Sequence, residues 1–356
     1  MKNPILEVDL KIIYDNACKL KNMLDQEKVE IMYISKGNCA NQEIIQTILK
    51  AGITKFGDSR IENIIDVKKE FKNLHYTLIR IPRMSELEEV LKYTDCSLQS
   101  ELEVIKKTSD LAIKKNKVHD IILMIDVGDL REGVLVEDAF NTIKEVLTYQ
   151  GVRLLGIGTN VGCYGSIKPS IENTEILVKI KDDVKTRLNY EMEIICGGST
   201  CTTDLFFKKN LHSDINLLRI GEAILFGEDS TNDKKIDLLD DGAFVIKAEI
   251  IELKTKPSYP IGEIGKDAFG VSNEYQDIGN IKRAIIALGK QDVTIYALTS
   301  LDNDIYILGG SSDHIIVDVT NSKNKYRLGD LLSFKCSYSA VLMATTSKYV
   351  NVVIKK

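Results

Sequence analysis

Apolar residues up to about residue 228 fall into two alternating patterns: short runs of strand length and longer stretches with helical spacing. The short runs predict strands at 30–35, 55–57, 75–81, 95–99, 120–127, 153–159, 193–196 and 217–220. Helical spacing in between predicts helices, the first over 11–26 and the longest over 171–188. The run 120–127 is almost wholly apolar, which is typical of a parallel strand buried on both faces. Eight such strand-then-helix units predict a (β/α)8 TIM-type barrel, a fold of about 250 residues.

The pattern changes after the polar stretch 231–241, where we place the domain boundary. Short β-branched runs separated by Gly, Asp and Asn follow at 243–254, 283–288, 294–298, 304–308, 314–319 and 332–337. They predict an antiparallel β domain. We therefore expect a barrel over residues 1–235 and a C-terminal β domain over 236–356. Residues 1–10 contain a short alternating strand that is a candidate to pair with the β domain.

Composition and residue spacing argue against several classes of protein. The chain has 356 residues, 44% of them hydrophobic and 28% charged, with a formal net charge of −5, which argues against a nucleic-acid binder. The seven cysteines are scattered without a CxxC pair, and the four histidines show no metal-ligand spacing. No apolar run is long enough to span a bilayer, and the opening Met1-Lys2-Asn3-Pro4 does not resemble a signal peptide. We expect a cytoplasmic protein without a metal, a membrane or a nucleic-acid partner.

The candidate chemistry starts at the first barrel strand, where the run Ile31-Met32-Tyr33-Ile34-Ser35 ends in Lys36. Burial disfavours the ammonium form, so it lowers the pKa of a lysine and makes the amine a better nucleophile. Lys36 is therefore our candidate for a Schiff base with pyridoxal phosphate. The alternative is that Lys36 extends into solvent where its strand ends.

Reactive groups of such barrels lie at the carboxyl ends of the strands, and here those ends also carry 126–133, 158–160, 197–200 and 219–222. Glycines in the last two segments let backbone N–H groups approach an anion, and Ser199 and Thr200 add hydroxyl donors. These two segments predict a phosphate site, which barrels place after strands seven and eight. The alternative for 197–200 is a simple tight turn.

In this order, the strand-end lysine, the D-x-G-x-x-R-x-G segment 126–133, the glycine–serine turn and the Arg-x-Gly at 219–221 resemble the alanine racemase family. Residues 6–10 with Asn16 also resemble the start of that family. Members of the family are pyridoxal-phosphate enzymes of fold type III. The segments LMIDVGDLREG, GTNVGCYG, LRIGEAILFGED, PIGEIGKDAFG and SSDH resemble its bacterial ornithine racemase branch more closely. The resemblance covers nearly the whole chain, including both domains.

The resemblance implies a role for each matching residue. Lys36 would hold the cofactor as an aldimine and exchange a proton on one face of the substrate Cα. Arg219 would meet the pyridine nitrogen, and Arg131 would touch the phenolate oxygen. The full set of cofactor-binding residues is Lys36, Arg131, Asn160, Ser199, Thr200, Arg219, Gly221, Glu222 and Tyr338, the last of which matches a tyrosine that reaches the phosphate.

An arginine at the ring nitrogen has a chemical consequence. A guanidinium does not accept the proton that an acidic partner would give to that nitrogen, so the ring nitrogen stays unprotonated. The carbanion is then less delocalised and is quickly reprotonated, which favours exchange at Cα over decarboxylation or transamination. The alternative for Arg219 is a salt bridge at the barrel rim.

The sequence departs from alanine racemases at three places. Gly37-Asn38-Cys39-Ala40 replaces a tyrosine-bearing segment, Met124 replaces a lysine that positions the arginine, and Gly289-Lys290 replaces the second-base tyrosine. Racemisation needs an acid or base on each face of Cα. We take Lys290, Asp313 and His314 as candidates for the second face. The alternatives are that Asp313 is a turn residue and Lys290 a surface lysine.

The resulting hypothesis is a cytoplasmic amino-acid racemase with ornithine as the leading substrate, acting by two-base α-proton exchange on an external aldimine. The resemblance also implies an obligate homodimer, because the β domain of the family reaches the active site of the neighbouring subunit. Candidates to recognise a basic side chain are Asp129, Glu132, Glu263, Asp267 and Asp313. Two alternatives stay open: a decarboxylase of basic amino acids with the same fold, and a non-catalytic pyridoxal-phosphate carrier.

Overall fold

The structure is a computed structural model that describes residues 4–272 and 274–355, and it divides into two compact units. Lys11–Asp241 form one unit, called here the barrel unit. Residues 4–10 join the chain from Gly242 onward to form the other, called the β unit. The residues Met1–Asn3, part of the opening in which we looked for a signal peptide, lie outside the described chain.

The regular elements follow the predicted alternation. The strands are β1 (Ile5–Asp9), β2 (Glu30–Ile34), β3 (Lys55–Asp58), β4 (His75–Leu78), β5 (Cys96–Gln99), β6 (His119–Asp126), β7 (Val134–Leu135), β8 (Val152–Thr159), β9 (Ile194–Ser199), β10 (Leu217–Ile220), β11 (Glu228–Asp229), β12 (Lys234–Lys235), β13 (Phe244–Pro257), β14 (Asn280–Ile286), β15 (Leu298–Ser300), β16 (Tyr306–Gly310), β17 (Ile315–Asp318), β18 (Leu331–Cys336) and β19 (Asn351–Lys355). The helices are α1 (Leu10–Gln26), α2 (Gln42–Lys50), α3 (Ile61–Glu70), α4 (Leu87–Tyr93), α5 (Leu102–Lys114), α6 (Val136–Val146), α7 (Ile171–Leu188), α8 (Thr203–Phe207), α9 (Glu222–Phe226) and α10 (Tyr338–Ala344).

Eight parallel strands close the barrel, in the order β5-β4-β3-β2-β10-β9-β8-β6, with β6 returning to β5. The predicted TIM-type barrel followed by an antiparallel β domain is therefore confirmed. Two strand ends of the barrel differ from the prediction by more than one residue. The strand predicted at 75–81 ends at Leu78, whereas β9 continues through the glycines to Ser199.

The barrel interior is filled by alternate residues of its strands, as the two-residue period of a strand requires. The interior cluster consists of Met32, Ile34, Cys96, Leu98, Ile122, Met124, Leu155, Cys196 and Leu217. Gly57 faces the same interior, because a Cβ there would lie 2.7 Å from Ile79 Cγ2 and 2.9 Å from Ile34 Cδ1. The residues between these positions, such as Tyr33, therefore point outward to the surrounding helices.

The β unit is built on an antiparallel sheet in the order β15-β18-β13-β14-β17-β16. Strand β1 pairs antiparallel with β13 and parallel with β19, which is why the start of the chain belongs to this unit. The sheet core comes from alternate residues of β13, namely Phe244, Ile246, Ala248 and Ile250. A bulge between Ile250 and Glu252 shifts the register of β13 against β14.

None of the helices described in residues 4–272 and 274–355 combines the length and the hydropathy needed to cross a membrane. All seven cysteines are free thiols, and four of them (Cys96, Cys196, Cys201 and Cys336) are buried. These four behave as small apolar core residues.

Candidate active site at the barrel mouth

Lys36 begins a tight 3₁₀ turn, Lys36–Asn38, directly after strand β2. The backbone N–H groups of Asn38 and Ala40 donate to the Ser35 carbonyl oxygen at 3.2 and 3.1 Å. Cys39 and Ala40 both adopt left-handed backbone, with φ of 52° and 50°. Two consecutive non-glycine residues in this region are unusual and cost conformational energy. The chain thus turns sharply away from the barrel immediately after presenting Lys36.

The surroundings of the Lys36 amine favour its neutral form. The side chain is partly buried, and it forms no hydrogen bond or ion pair with any other residue that the structure describes. Burial lowers the pKa of Lys36, and the nearby cations Arg131 and Arg219 lower it further, whereas Cys163 and Asp58 act in the opposite direction. A lysine that extends into bulk solvent would not experience this desolvation.

Arg219 lies on β10 and is only 5% exposed. Its Nη2 donates to the Thr159 carbonyl oxygen at 2.9 Å and to Asn160 Oδ1 at 3.1 Å, and its Nη1 lies 3.6 Å from Met124 Sδ. These partners are uncharged, and Arg219 forms no ion pair within the described chain, so it is not a rim salt bridge. A buried guanidinium without an anion is costly, which suits a site that binds a ligand carrying negative charge.

Asn160 lies beside Arg219 and carries a buried amide donor that no described residue accepts. Its Oδ1 accepts from Arg219, but its buried Nδ2 has no hydrogen-bond partner among the described residues. Asn160 is 8% exposed, so water does not readily compensate for the missing bond. A buried donor of this kind fits a bound group that supplies an acceptor.

The two glycine loops meet at the ends of β9 and β10. Ser199 of β9 lies opposite Arg219 of β10 in the strand register. Thr200 Oγ1 accepts from the Ala223 N–H at 3.3 Å and links one loop to the other. Gly221 lies beside the end of β2, since a Cβ there would approach the Ile34 carbonyl oxygen to 2.8 Å. Only glycine allows the two backbones to come this close, and Ile34 lies two residues before Lys36.

The Glu222 carboxylate is engaged by Ser230, so only the backbone of Glu222 is a candidate for binding an anion. The carboxylate accepts from the hydroxyl of Ser230 and from the Ser230 N–H, the latter at 3.3 Å. Burial raises the pKa of Glu222. A side chain in this position adds no donor for an anion, so the glycine backbones and the hydroxyls of Ser199 and Thr200 remain as candidates.

The segment 126–133 is held by its own acidic residues. Asp126 Oδ1 accepts from the N–H groups of Gly128 and Leu130 at 2.8 and 3.2 Å. Arg131 is paired with Glu132, and this hydrogen bond raises the pKa of Arg131. Arg131 also lowers the pKa of Lys36, as Arg219 does, so both arginines lie near Lys36 at the barrel mouth.

Asp129 has a structural function that the sequence did not reveal. Its buried carboxylate accepts from three backbone N–H groups of the loop after β8, those of Cys163, Tyr164 and Ile167, at 3.2, 3.0 and 3.4 Å. Both oxygens are therefore engaged in fastening two loops of the mouth together. This geometry removes Asp129 from the candidates for recognising a substrate side chain.

The three second-base candidates lie together on the β unit. The Lys290 N–H donates to the Ser311 carbonyl oxygen at 2.9 Å, which joins its loop to the turn that carries Asp313 and His314. Gln291 Nε2 donates to Asp313 Oδ1 at 2.6 Å. His314 Nδ1 has a long contact of 3.5 Å with Ser311 Oγ. Their roles stay predictions.

The side chain of Lys290 has partners of its own in the β unit. Its Nζ lies 3.2 Å from Asp267 Oδ2 and 4.3 Å from the centroid of the Phe269 ring. The segments PIGEIGKDAFG, Gly289-Lys290 and SSDH, which are distant in sequence, thus form one partly exposed cluster. Glu263 is exposed, and Tyr338 is partly buried at the start of α10.

Sequence reasoning did not find Asp58, Ser35 and Cys163. Asp58 and Ser35 are buried behind β2 and hydrogen-bonded to each other, and Cys163 and Asp58 both affect the pKa of Lys36. A signal for Asp58 was present, because it directly follows the predicted barrel strand 55–57, at the end where reactive groups of such barrels lie. Its partner Ser35 was not predictable, since the pairing depends on the register of neighbouring strands.

Comparison with known proteins agrees with this architecture. The family model "Alanine racemase, N-terminal domain" matches residues 8–229. The ornithine racemase of Acetoanaerobium sticklandii is 40% identical over 351 residues, covering 98% of both chains. The lysine racemase of Thermotoga maritima is 41% identical over 353 residues, covering 99% of both chains.

Among solved structures, the alanine racemase of Bartonella henselae with covalently bound pyridoxal phosphate superposes with a TM-score of 0.73. It covers 100% of both chains at 17% identity, so it supports the fold alone. The family model and the two full-length relatives confirm the resemblance described from the sequence. The chain belongs to the alanine racemase family.

Proposed function

We propose that the protein is a pyridoxal-phosphate-dependent amino-acid racemase that acts on basic amino acids, with ornithine as the leading substrate. Two relatives that match almost the entire chain are named ornithine racemase and lysine racemase, which supports both the reaction and a diamino acid as substrate. The observation that carries the proposal is that a desolvated amine, Lys36, and a buried guanidinium, Arg219, lie at the same barrel mouth.

The residues of the mouth fit the cofactor. Among the described residues, the Lys36 amine has no hydrogen-bond partner, and Arg219 is a buried cation whose partners are all neutral. The Asn160 Nδ2 has no acceptor among the described residues, and the glycine at 221 lets its backbone lie close to the end of β2. In this proposal Ser199 and Thr200 hold the phosphate together with the backbones of Gly221 and Glu222. When bound, pyridoxal phosphate supplies the electron sink that acidifies the α-proton of the substrate.

The protein residues then divide the proton chemistry. Lys36, whose pKa is lowered by desolvation and by neighbouring cations, removes or returns the α-proton on one face of Cα. Arg219 keeps all its protons, because a guanidinium does not act as a base in proteins. It therefore offers positive charge at the ring nitrogen without donating that proton, which favours exchange at Cα.

The second face needs its own acid or base. We assign it to the cluster of Lys290, Asp313 and His314 on the β unit, whose loops are joined by backbone hydrogen bonds. A homodimer with shared active sites is part of this proposal, as in the family that the sequence resembles. For the distal ammonium of the substrate, Asp267 and Asp313 belong to the same cluster, whereas Asp129 is engaged in the barrel.

We also retain a cytoplasmic location in the proposal. The argument is the distribution of the cysteines, which are all free thiols in the described chain. Free and scattered cysteines are typical of proteins in reducing compartments.

The test is exchange of the α-proton in deuterated water, with single enantiomers of ornithine, lysine and alanine as substrates. A racemase of basic amino acids yields α-deuterated ornithine or lysine of both configurations, measured by NMR and chiral chromatography. Lys36→Ala should abolish exchange, whereas Lys50→Ala, which changes an exposed lysine on α2, should not. Carbon dioxide release without exchange would identify a decarboxylase, and binding of cofactor without either reaction would identify a carrier. Faster exchange of alanine would contradict the proposed substrate class.

A further inference from the structure

Behind the strand that carries Lys36, three aromatic side chains form a buried ladder. Tyr33, Phe56 and Tyr76 pair in register on β2, β3 and β4, and neighbouring ring centroids are 5.8 Å apart. All three are completely buried. They occupy strand positions that alternate with the interior residues, so they lie between the barrel wall and the outer helices.

The two tyrosine hydroxyls hold the residues on either side of Lys36. Tyr33 Oη accepts from Asn38 Nδ2 at 2.5 Å, and Tyr76 Oη lies 2.8 Å from Ser35 Oγ. Ser35 precedes Lys36, and Asn38 ends the turn that Lys36 begins. The residues on both sides of Lys36 are therefore held by a buried aromatic layer that lies outside the barrel interior.

Ser35 connects this layer to a buried carboxylate. Its Oγ donates to Asp58 Oδ2 at 2.7 Å. A hydroxyl has a single hydrogen, so while Asp58 is ionised the hydrogen bonds run from Tyr76 to Ser35 and from Ser35 to Asp58. The other carboxylate oxygen, Oδ1, accepts from the Arg60 N–H at 2.9 Å and from Asn63 Nδ2 at 3.2 Å.

The two oxygens of Asp58 thus serve different neighbours. Oδ1 holds the start of α3, which is a local structural function. Oδ2 is directed to Ser35, whose position determines where the Lys36 turn begins. The second contact joins the carboxylate to the residue that directly precedes Lys36.

The charge of Asp58 also matters at the barrel mouth. Asp58 is fully buried and forms no ion pair within the described residues. The groups that act on Lys36 are Cys163, Arg131, Arg219 and Asp58. The ionised Asp58 partly offsets the two arginines, and Lys36 in turn counteracts the burial that raises the pKa of Asp58.

We propose that Asp58, acting through Ser35, is a positioning residue for Lys36: it fixes the turn that presents the amine and supplies negative charge behind it. This inference rests on the proposed function only in treating Lys36 as the reactive amine. It assigns no contact between Asp58 and the substrate or the cofactor.

The test is competitive labelling of lysines by trace acetic anhydride in the full-length protein freed of cofactor, because an amine held as a Schiff base is not acylated, over the range from about pH 6 to about pH 11. Mass spectrometry of the peptides gives a labelling curve for Lys36 and for the exposed Lys50 as internal reference. The readout needs no racemase activity, so failure of this inference and failure of the proposed function are distinguishable.

Asp58→Asn should lower the labelling midpoint of Lys36 by about 0.5 to 1 pH unit, because an anion that favours the ammonium is lost. Ser35→Ala and Tyr76→Phe should change the labelling rate of Lys36 on the alkaline plateau at least about twofold, because the turn is released. Tyr190→Phe is the matched control, since it removes a tyrosine hydroxyl that donates to the Leu154 carbonyl oxygen at 2.6 Å, outside the Ser35–Asp58 network. It should leave the curve of Lys36 unchanged, and all variants should leave Lys50 unchanged.

An unchanged Lys36 midpoint in a folded Asp58→Asn variant would overturn the electrostatic part of the inference. If the Asp58→Asn variant is insoluble, the Lys36 labelling rates of Ser35→Ala and Tyr76→Phe test the inference instead. A Lys36 plateau equal to that of Tyr190→Phe in both of them would show that the network is only structural, and would overturn the inference.

Discussion

Arg219 Nη2 lies 2.9 Å from the carbonyl oxygen of Thr159, so a side chain of β10 reaches past β9 to the end of β8. The contact fixes the plane of the guanidinium, because a second acceptor, Asn160 Oδ1, follows in the same segment at 3.1 Å. Thr159 Oγ1 is in turn bonded to the Ile125 carbonyl oxygen at 2.8 Å. The orientation of Arg219 is therefore determined by the barrel strands themselves.

The first prediction concerns the geometry of that guanidinium. Arg219→Lys keeps the positive charge but loses the planar fork that reaches Thr159 and Asn160 together. We expect kcat/KM for ornithine to fall at least about tenfold. Arg153→Lys, at the start of β8 and paired with Asp120, is the matched control and should retain activity. Equal activity of Arg219→Lys and the wild type would contradict a positioned guanidinium.

The second prediction separates stability from ligand binding at Asn160. Asn160→Asp places a carboxylate against Arg219 and removes the unpaired Nδ2 donor. We expect the melting temperature of the protein without cofactor to stay equal or rise, while cofactor retained after dialysis decreases. Thermal unfolding and cofactor absorbance measure the two effects. A decrease in both the melting temperature and the retained cofactor would indicate that Asn160 only supports the fold.

The third prediction tests the structural function of Asp129. Asp129→Asn weakens the acceptors for three backbone N–H groups, so the free energy of unfolding should decrease by about 1–3 kcal/mol. The preference for ornithine over alanine should not change. Urea unfolding and the ratio of the two kcat/KM values provide the measurements. Loss of the preference for ornithine in a stable variant would restore Asp129 as a recognition residue.

The fourth prediction concerns acid stability. His119 is 4% exposed, and its Nε2 is 3.0 Å from Ser97 Oγ. Burial lowers the pKa of His119 to about 4, below the ordinary value of 6.5. Between these pH values the unfolded chain binds the proton and the folded chain does not, so stability is lost as pH falls through this window.

His119→Gln should remove this contribution, which amounts to about 3 kcal/mol for a shift of this size. Urea unfolding of both proteins from about pH 7.5 to about pH 4 gives the free energy of unfolding at each pH. The contribution of His119 is the difference between the pH dependences of the wild type and the variant. Identical pH dependence in the variant and the wild type would show that His119 is not held neutral by burial.

The sequence predicted the fold well because its dominant signals are local. Continuous apolar runs such as 120–127 mark buried parallel strands without reference to any other part of the chain. Strand ends were less predictable. The run up to residue 81 extends past β4 because Ile79 and Ile81 still pack on the barrel interior after the strand has ended at Leu78.

The candidate site was predictable only where position along a strand determines direction. Lys36, Arg219 and the glycine loops follow from their places at strand ends. The Ser35–Asp58 hydrogen bond depends on the register of two strands, and the cluster around Lys290 depends on backbone bonds between distant loops. Asp129 had the right residue type for recognising an ammonium, but three backbone N–H groups bind its carboxylate.

The central claim is that the Lys36 amine is the residue that bonds covalently to pyridoxal phosphate. Reducing the cofactor-loaded protein with borohydride and mapping the modified peptide by mass spectrometry tests it directly. The account predicts a single pyridoxyl modification on Lys36, absent from Lys36→Ala. A modification on another lysine such as Lys290, or none at all, would contradict it.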